Sequence, residues 1–273
     1  MNAELDHAAS LLAGAGALLV CAGAGMGVDS GLPDFRGDHG FWEAYPPYAR
    51  LGMRFVELAD PEHFTADPEL AWGFYGHRLE LYRRTVPHAG FALLRSWGER
   101  APGGVRVFTS NVDGQFQVAG FTGVAEAHGS IHHLQCLARC TERIWPADVT
   151  VTVDEETMRA VPPLPSCPDC GGVARPNILM FGDFGWVGDR TDAQLRELNE
   201  WRRRQRDLVV VELGAGRAVP TVRRYAELAS AATGALIRIN PREPEVRHGR
   251  GVSIPSGALP ALSELDERLR PGR

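Results

Sequence analysis

A chain of 273 residues, 44% of them apolar and with a formal net charge of −5, can bury one large α/β core, or a main core with a smaller insertion. The acidic balance argues against broad nucleic-acid binding, and the five cysteines of a chain expected in the reducing cytoplasm point, where clustered, to metal rather than disulfides. Leu11–Val28 is uncharged but broken by five glycines and has no stop-transfer charges, and the start Met-Asn-Ala-Glu-Leu-Asp has no basic residue; neither a membrane span nor a signal peptide is expected.

Glu4–Ala13 is predicted to form a helix leading into a buried strand, Ala17–Cys21. Gly23, Gly25 and Gly27 follow, with no Cβ to keep backbone N–H groups from a pyrophosphate. Such a turn is a weak signal by itself. The next stretch, Ser30-Gly31-Leu32-Pro33-Asp34-Phe35-Arg36-Gly37, sharpens it with a rigid turn, a carboxylate, an aromatic ring and a guanidinium. Phe41–Tyr48 is read as a loop or broken helix. Asp67-Pro68-Glu69 is a helix start, with a capping carboxylate, proline at the first position and an acid in the first turn. The helix should carry Trp72, Phe74, Tyr75, Arg78, Leu79 and Tyr82.

A second buried strand, Val105–Thr109, ends in Ser110-Asn111-Val112-Asp113, and Val124–Gly129 repeats the pattern with His128 at its exit. Carboxyl ends of parallel strands are where ligands bind. Cys136-x3-Cys140 and, 26 residues later, Cys167-x2-Cys170 are the ligand set of a tetrahedral structural zinc. His132 and His133 are expected to be surface or packing residues. Asn177–Asp183 is predicted to be extended. Thr191–Gln194 reads as a capping box opening a helix through Arg206. Leu208–Leu213 is the next strand, running into Gly214-Ala215-Gly216, and Ala235–Ile239 runs into Asn240-Pro241-Arg242. A short strand, Gly251–Ile254, and a helix, Pro260–Arg270, close the chain. Strands alternating with helices predict an α/β fold, a doubly wound, mostly parallel Rossmann-like sheet.

The run G-A-G-x-x-x-x-S-G-L-P-D-F-R-G resembles the opening signature of the sirtuins, NAD-dependent protein deacylases, and the later segments agree with it in order. The resemblance implies a Rossmann-like NAD-binding domain of residues 1–37, 87–130 and 175–273. It implies a small domain with a helical part, 38–86, and a zinc-binding part, 131–174. NAD and zinc are the implied cofactors, and acylated lysine side chains of other proteins the implied partners, with no nucleic acid and no membrane. Around NAD it would place Gly23, Ala24, Gly25, Asp34, Phe35, Arg36, Ser110, Asn111, Asp113, Gly214, Ala215, Gly216, Asn240 and Arg242.

In the implied reaction the acyl oxygen joins C1′ of the nicotinamide ribose and nicotinamide leaves. His128 is then the base for a ribose hydroxyl, while Asn111 and Asp113 orient the ribose and hold the carboxamide. Phe181 and Gly182 belong to the segment that pairs with the substrate peptide. Tyr75 and Arg78 share a helix face and resemble the Tyr-x-x-Arg of the branch that removes succinyl and malonyl groups. Four segments depart from the family pattern: Gly27 for serine, Ser110 for glutamine, Gly214-Ala215-Gly216 for Gly-Thr-Ser and Asp183 for glutamate. The first three remove hydroxyl or amide contacts to NAD. An ADP-ribosyltransferase or NAD hydrolase on the same fold, and a non-catalytic zinc-stabilised NAD-sensing module, are the competing readings.

Overall fold

The computed structural model describes residues 2–34, 41, 45–50, 52–247 and 249–270. The main sheet is built from β1 (Ala17–Ala22), β2 (Val105–Thr109), β3 (Val124–Glu126), β9 (Leu208–Leu213), β10 (Leu236–Ile239) and β11 (Val252–Ile254). The order is β11-β10-β9-β1-β2-β3 and every pairing is parallel. All six residues of β1 and of β9 are buried, as expected of strands covered on both faces.

One face packs on α1 (Asn2–Ala13), α3 (Ala89–Arg100) and α6 (Ala258–Leu269) through a core that includes Leu5, Val20, Leu94, Val211 and Leu262. The other packs on α4 (Asp189–Arg203) and α5 (Thr221–Ser230) through Leu19, Phe108, Leu198, Val210 and Ala226. The doubly wound expectation holds. Among the described residues no helix is long and apolar enough to cross a membrane.

A third core, containing Tyr48, Trp72, Phe74, Tyr75, Ile131 and Leu134, lies apart from these two. It is formed by α2 (Pro68–Arg84) and three antiparallel strands, β4 (Gly129–Cys136), β5 (Ile144–Pro146) and β8 (Ala174–Ile178), in the order β5-β4-β8. Asp67 caps α2 as expected, accepting from the Leu70 amide at 3.2 Å. The small ribbon of β6 (Val153–Asp154) and β7 (Arg159–Ala160) lies on α2. Gly73 and Gly76 make the flat seat: a Cβ on Gly73 would run into the Met158 carbonyl, and one on Gly76 would lie 2.6 Å from a Val151 methyl. Arg159 pins the ribbon to the helix start, bonding both Asp67 oxygens (2.9 and 2.7 Å) and Glu69 (3.2 Å).

Two local expectations are corrected. Helix α4 starts at Asp189, with Gly188 as N-cap and no side-chain cap, because Thr191 Oγ1 donates instead to the Glu126 carbonyl at 3.0 Å. The extended run 177–183 stops at Ile178 and turns at Phe181-Gly182. The Asp183 carboxylate, paired with Arg175 at 2.5 Å, accepts from the Met180 (3.3 Å) and Gly185 (3.1 Å) amides and closes the loop on itself.

Candidate functional site

Connections run one way from β1 to β2 and β3 and the other way from β9 to β10 and β11. β1 and β9 therefore mark the switch point, where a crevice opens beyond the strands' carboxyl ends. The turns leaving these two strands are pressed together. The Gly23 amide donates to the Leu213 carbonyl (2.9 Å) and the Gly25 amide to Gly214 (3.1 Å). A Cβ on Gly23 would lie 2.9 Å from the Ala215 Cα, and one on Gly214, whose φ is +60°, would collide with the Gly25 backbone. Only glycine fits.

Beside this contact a cleft is lined by Gly25, Val28, Asp29 and Asp34, by Gly214, Ile239, Pro241 and Arg242, and by Ser256, Gly257 and Ala258. The amides of Ala215 and Gly216 have no acceptor among the described residues, although Ala215 is buried. Two unpaired N–H groups in a glycine-bearing turn suit the oxygens of a phosphate.

The second half of the site lies where β2 and β3 leave the sheet side by side. Thr109 sits opposite Glu126, and the Ala127 amide donates to the Thr109 carbonyl at 2.8 Å. Thr109 Oγ1 donates to the Ala22 carbonyl (2.9 Å) and accepts from the Asn111 amide (3.0 Å). Asn111 is thereby turned toward the first loop, where its Nδ2 donates to the Gly23 carbonyl at 3.1 Å. Asp113 is buried and accepts from the Gln115 amide at 2.9 Å. Burial pushes its carboxyl up to about 6, the nearby Glu126 adding to the rise.

His128 occupies the turn between β3 and β4. Its Nε2 lies 3.2 Å from Thr221 Oγ1, at the start of α5, and burial holds its pKa below the usual imidazole value. A neutral imidazole, an amide and a buried carboxyl at one crevice can hold a polar ligand and move a proton. Among the described residues His132 bonds the Asp113 carbonyl through Nε2 at 2.8 Å, a packing role.

At the far end of β4 the four cysteine sulfurs lie within 4.8 Å of one another. Cys136 and Cys170 are 3.7 Å apart, Cys140 and Cys167 3.6 Å, close to the ~3.8 Å edge of a tetrahedron with 2.3 Å zinc–sulfur bonds. Burial pushes the Cys167 thiol up, but amide hydrogen bonds from Cys170 and Asp169 outweigh it and bring it to about 7. The donor set fits zinc.

The Sir2 family model matches residues 23–217. The chain belongs to the Sir2 family. It is 30% identical over 256 residues to NAD-dependent protein deacylase 1 of Archaeoglobus fulgidus, covering 93% of each chain. It is 32% identical over 263 residues to NAD-dependent protein deacylase 1 of Pseudomonas aeruginosa, covering 96% of this chain and 98% of that one. A crystal structure of a Sir2 homolog–NAD complex superposes with a TM-score of 0.75 at 27% identity, covering 96% of this chain and 92% of that one.

In this sirtuin Gly23, Gly25, Gly214 and Ala215 are pressed together at the switch point with Asn111 bonded to Gly23, Gly25, Asp34, Gly214 and Arg242 line the cleft, and Asp113 lies buried at the exit of β2. Phe35 and Arg36 lie outside the described residues. Asn240 is turned inward: it is fully buried, its Nδ2 donating to the Ala215 carbonyl (2.8 Å) and its Oδ1 accepting from the Arg242 and Glu243 amides (3.0 Å each). It shapes the cleft from behind. Thr221, Asp29 and the start of α6 were not singled out in the sequence, because nothing local marks a hydroxyl or a helix start as facing a distant strand end.

Arg78 is buried rather than solvated. Its guanidinium donates to Tyr82 Oη from Nε (3.0 Å) and Nη2 (2.8 Å) and lies 5.0–5.8 Å from the rings of Phe55, Phe74, Tyr75 and Tyr82. Phe181 is 41% exposed and Gly182, at φ +66°, follows it at the loop's turn.

The glycines of the phosphate turn should respond unequally to substitution. Gly214→Ala should lose about 2 kcal/mol or more of stability, since a strained φ and a backbone collision coincide. At Gly216 a Cβ would meet only a Glu243 oxygen at 3.9 Å. Gly216→Ser should therefore keep the wild-type Tm and, by adding a hydroxyl, lower KM for NAD by up to about fivefold. Thermal melts with steady-state kinetics decide both, and a Gly214→Ala protein of wild-type Tm would contradict the packing argument.

Proposed function

We propose that this sirtuin removes acyl groups from lysine side chains of other proteins at the expense of NAD, giving nicotinamide, O-acyl-ADP-ribose and free lysine. The observation that supports the reading is that the exits of β2 and β3, which carry Asn111 and His128, leave the sheet side by side, with Asn111 bonded to the Gly23 turn that meets Gly214. NAD supplies a ribose carbon that accepts the acyl oxygen as nicotinamide leaves. His128, neutral at pH 7, takes a proton from a ribose hydroxyl through its imidazole. Asn111, fixed by Gly23 and Thr109, orients that ribose, and Asp113, when ionised, accepts from the carboxamide N–H. Phe181 and Gly182 line the path of the substrate peptide. The separate core around α2 and β4 supports the division into a main domain and a small, zinc-holding one, and a need for reduced thiolates supports a cytoplasmic setting.

The test is incubation with NAD and acyl-lysine peptides, with products identified by mass spectrometry. O-acyl-ADP-ribose with free lysine is the expected outcome. ADP-ribosylated peptide would instead identify a transferase, free ADP-ribose alone a hydrolase, and no turnover a sensing module.

The acyl preference follows from Tyr75 and Arg78. A guanidinium among aromatic rings, with the Tyr75 ring on the same face, suits an acyl chain that ends in a carboxylate, because arginine bonds a carboxylate through two parallel N–H groups. Succinyl-lysine and acetyl-lysine peptides should be compared in wild type and Arg78→Met. The substitution should reduce succinyl kcat/KM by about 30-fold, roughly 2 kcal/mol, and leave acetyl turnover nearly unchanged. Equal losses on both substrates would make Arg78 a packing residue only.

A further inference from the structure

Two charges sit where a covered parallel strand is ordinarily apolar. Glu212 of β9 and Arg238 of β10 are register partners, 0% and 2% exposed. They are joined by two hydrogen bonds, Nε to Oε1 at 2.7 Å and Nη2 to Oε2 at 2.8 Å. For stability alone, apolar residues of similar volume would serve as well as such a desolvated pair. Arg238 Nη2 also donates to Glu227 Oε1 of α5 at 2.9 Å, and the last donor reaches the loop behind the cleft. Arg238 Nη1 donates to the Glu245 carbonyl at 2.6 Å.

Arg223 of α5, 7% exposed, has its Nε 3.9 Å from Glu212. Its Nη2 donates to two carbonyls, Ala215 (3.3 Å) and Glu243 (2.5 Å). Glu212 thus holds one guanidinium and attracts a second, and their other N–H groups tie the turn after β9 to the loop after β10. The turn after β9 is the one whose Ala215 and Gly216 amides have no acceptor among the described residues.

We propose that Glu212, Arg238 and Arg223 are positioning residues for the adenosine-diphosphate half of the dinucleotide, fixing the Ala215 and Gly216 amides toward its phosphates. The proposal rests on the reading of this cleft as an NAD site. Among the described residues the network makes no hydrogen bond to His128 or to the loop at Phe181-Gly182, although Arg223 follows Thr221, the partner of His128, by two residues on α5. Losing it should therefore weaken ground-state binding of the nucleotide while leaving turnover of the saturated enzyme alone.

Three variants of the full chain test this: Arg223→Met, Arg223→Lys, and Glu212→Leu combined with Arg238→Met, which exchanges the buried pair for apolar side chains. Calorimetry with ADP-ribose is read beside KM for NAD, KM for peptide, kcat and Tm. The double variant and Arg223→Met should bind ADP-ribose about tenfold or more weakly, with KM for NAD rising in step and kcat and peptide KM at wild-type values. Arg223→Lys, a single point donor, should recover part of the affinity. A folded double variant and an Arg223→Met that both bind ADP-ribose like wild type would overturn the positioning role. If the double variant fails to fold, Arg223→Met decides alone. Wild-type protein that ignores both ADP-ribose and NAD would overturn the assignment of the cleft itself.

Discussion

His128→Ala should lower deacylation by about 10²- to 10⁴-fold, the usual worth of a positioned general base, while ADP-ribose still binds with wild-type affinity. The imidazole stands at the exit of β3, against Thr221 (3.2 Å), and the two glycine turns that would hold the nucleotide phosphates lie at β1 and β9. Removing one group therefore leaves the other intact. The pH profile gives a second reading of the same residue. Burial lowers the His128 pKa, so the base stays neutral at pH 7 and is lost as pH falls through that depressed value. Asp113, raised to about 6, must be ionised to accept a carboxamide N–H and is lost in the same direction. Activity should thus be full above neutrality and decline below about pH 6, with both groups on the acid limb. A His128→Ala enzyme at wild-type rate would make the imidazole structural.

Metal removal should have the largest effect on the fold. The second sheet has only three strands, and two of them, β4 and β8, carry or adjoin the cysteine turns, so the zinc would tie those turns together at the strand ends. Binding energies of structural zinc are on the order of 10 kcal/mol or more, comparable to the stability of a whole domain. Elemental analysis should find about one zinc per chain. Chelation, or Cys167→Ala, should unfold the β4–β5–β8 sheet and abolish turnover. Since β4 begins at Gly129, the residue after His128, disorder at the sulfurs reaches the base along a single strand. A metal-free protein with this sheet intact and full activity would overturn the structural role of zinc.

The strands, the glycine turns and the paired cysteines were legible because each is dictated locally: apolar runs of strand length, positions where a Cβ cannot fit, and fixed ligand spacing. Glu212 and Arg238 were not. Each interrupts an apolar strand, and the sense of the pair appears only when β9 and β10 lie in register. Asn240 was placed at the cofactor by the family resemblance, and the inward turn of its side chain onto Ala215, Arg242 and Glu243 had no local signal. The capping box at Thr191 failed because a tertiary acceptor, the Glu126 carbonyl, drew the hydroxyl away. Tyr75 and Arg78 were correctly placed on one helix, but not the ring of aromatics that buries the guanidinium, since Phe55 comes from another segment.

The glycine seat on α2 has a consequence for descent. Gly73 and Gly76 let the β6–β7 ribbon lie against the backbone of the helix that carries Tyr75 and Arg78, and Arg159 clamps the helix start through Asp67 and Glu69. The ribbon is far from that helix in sequence but sets where it lies. A lineage that alters Val151, Met158 or Arg159 would therefore shift the helix that carries Tyr75 and Arg78 while leaving both of those residues unchanged.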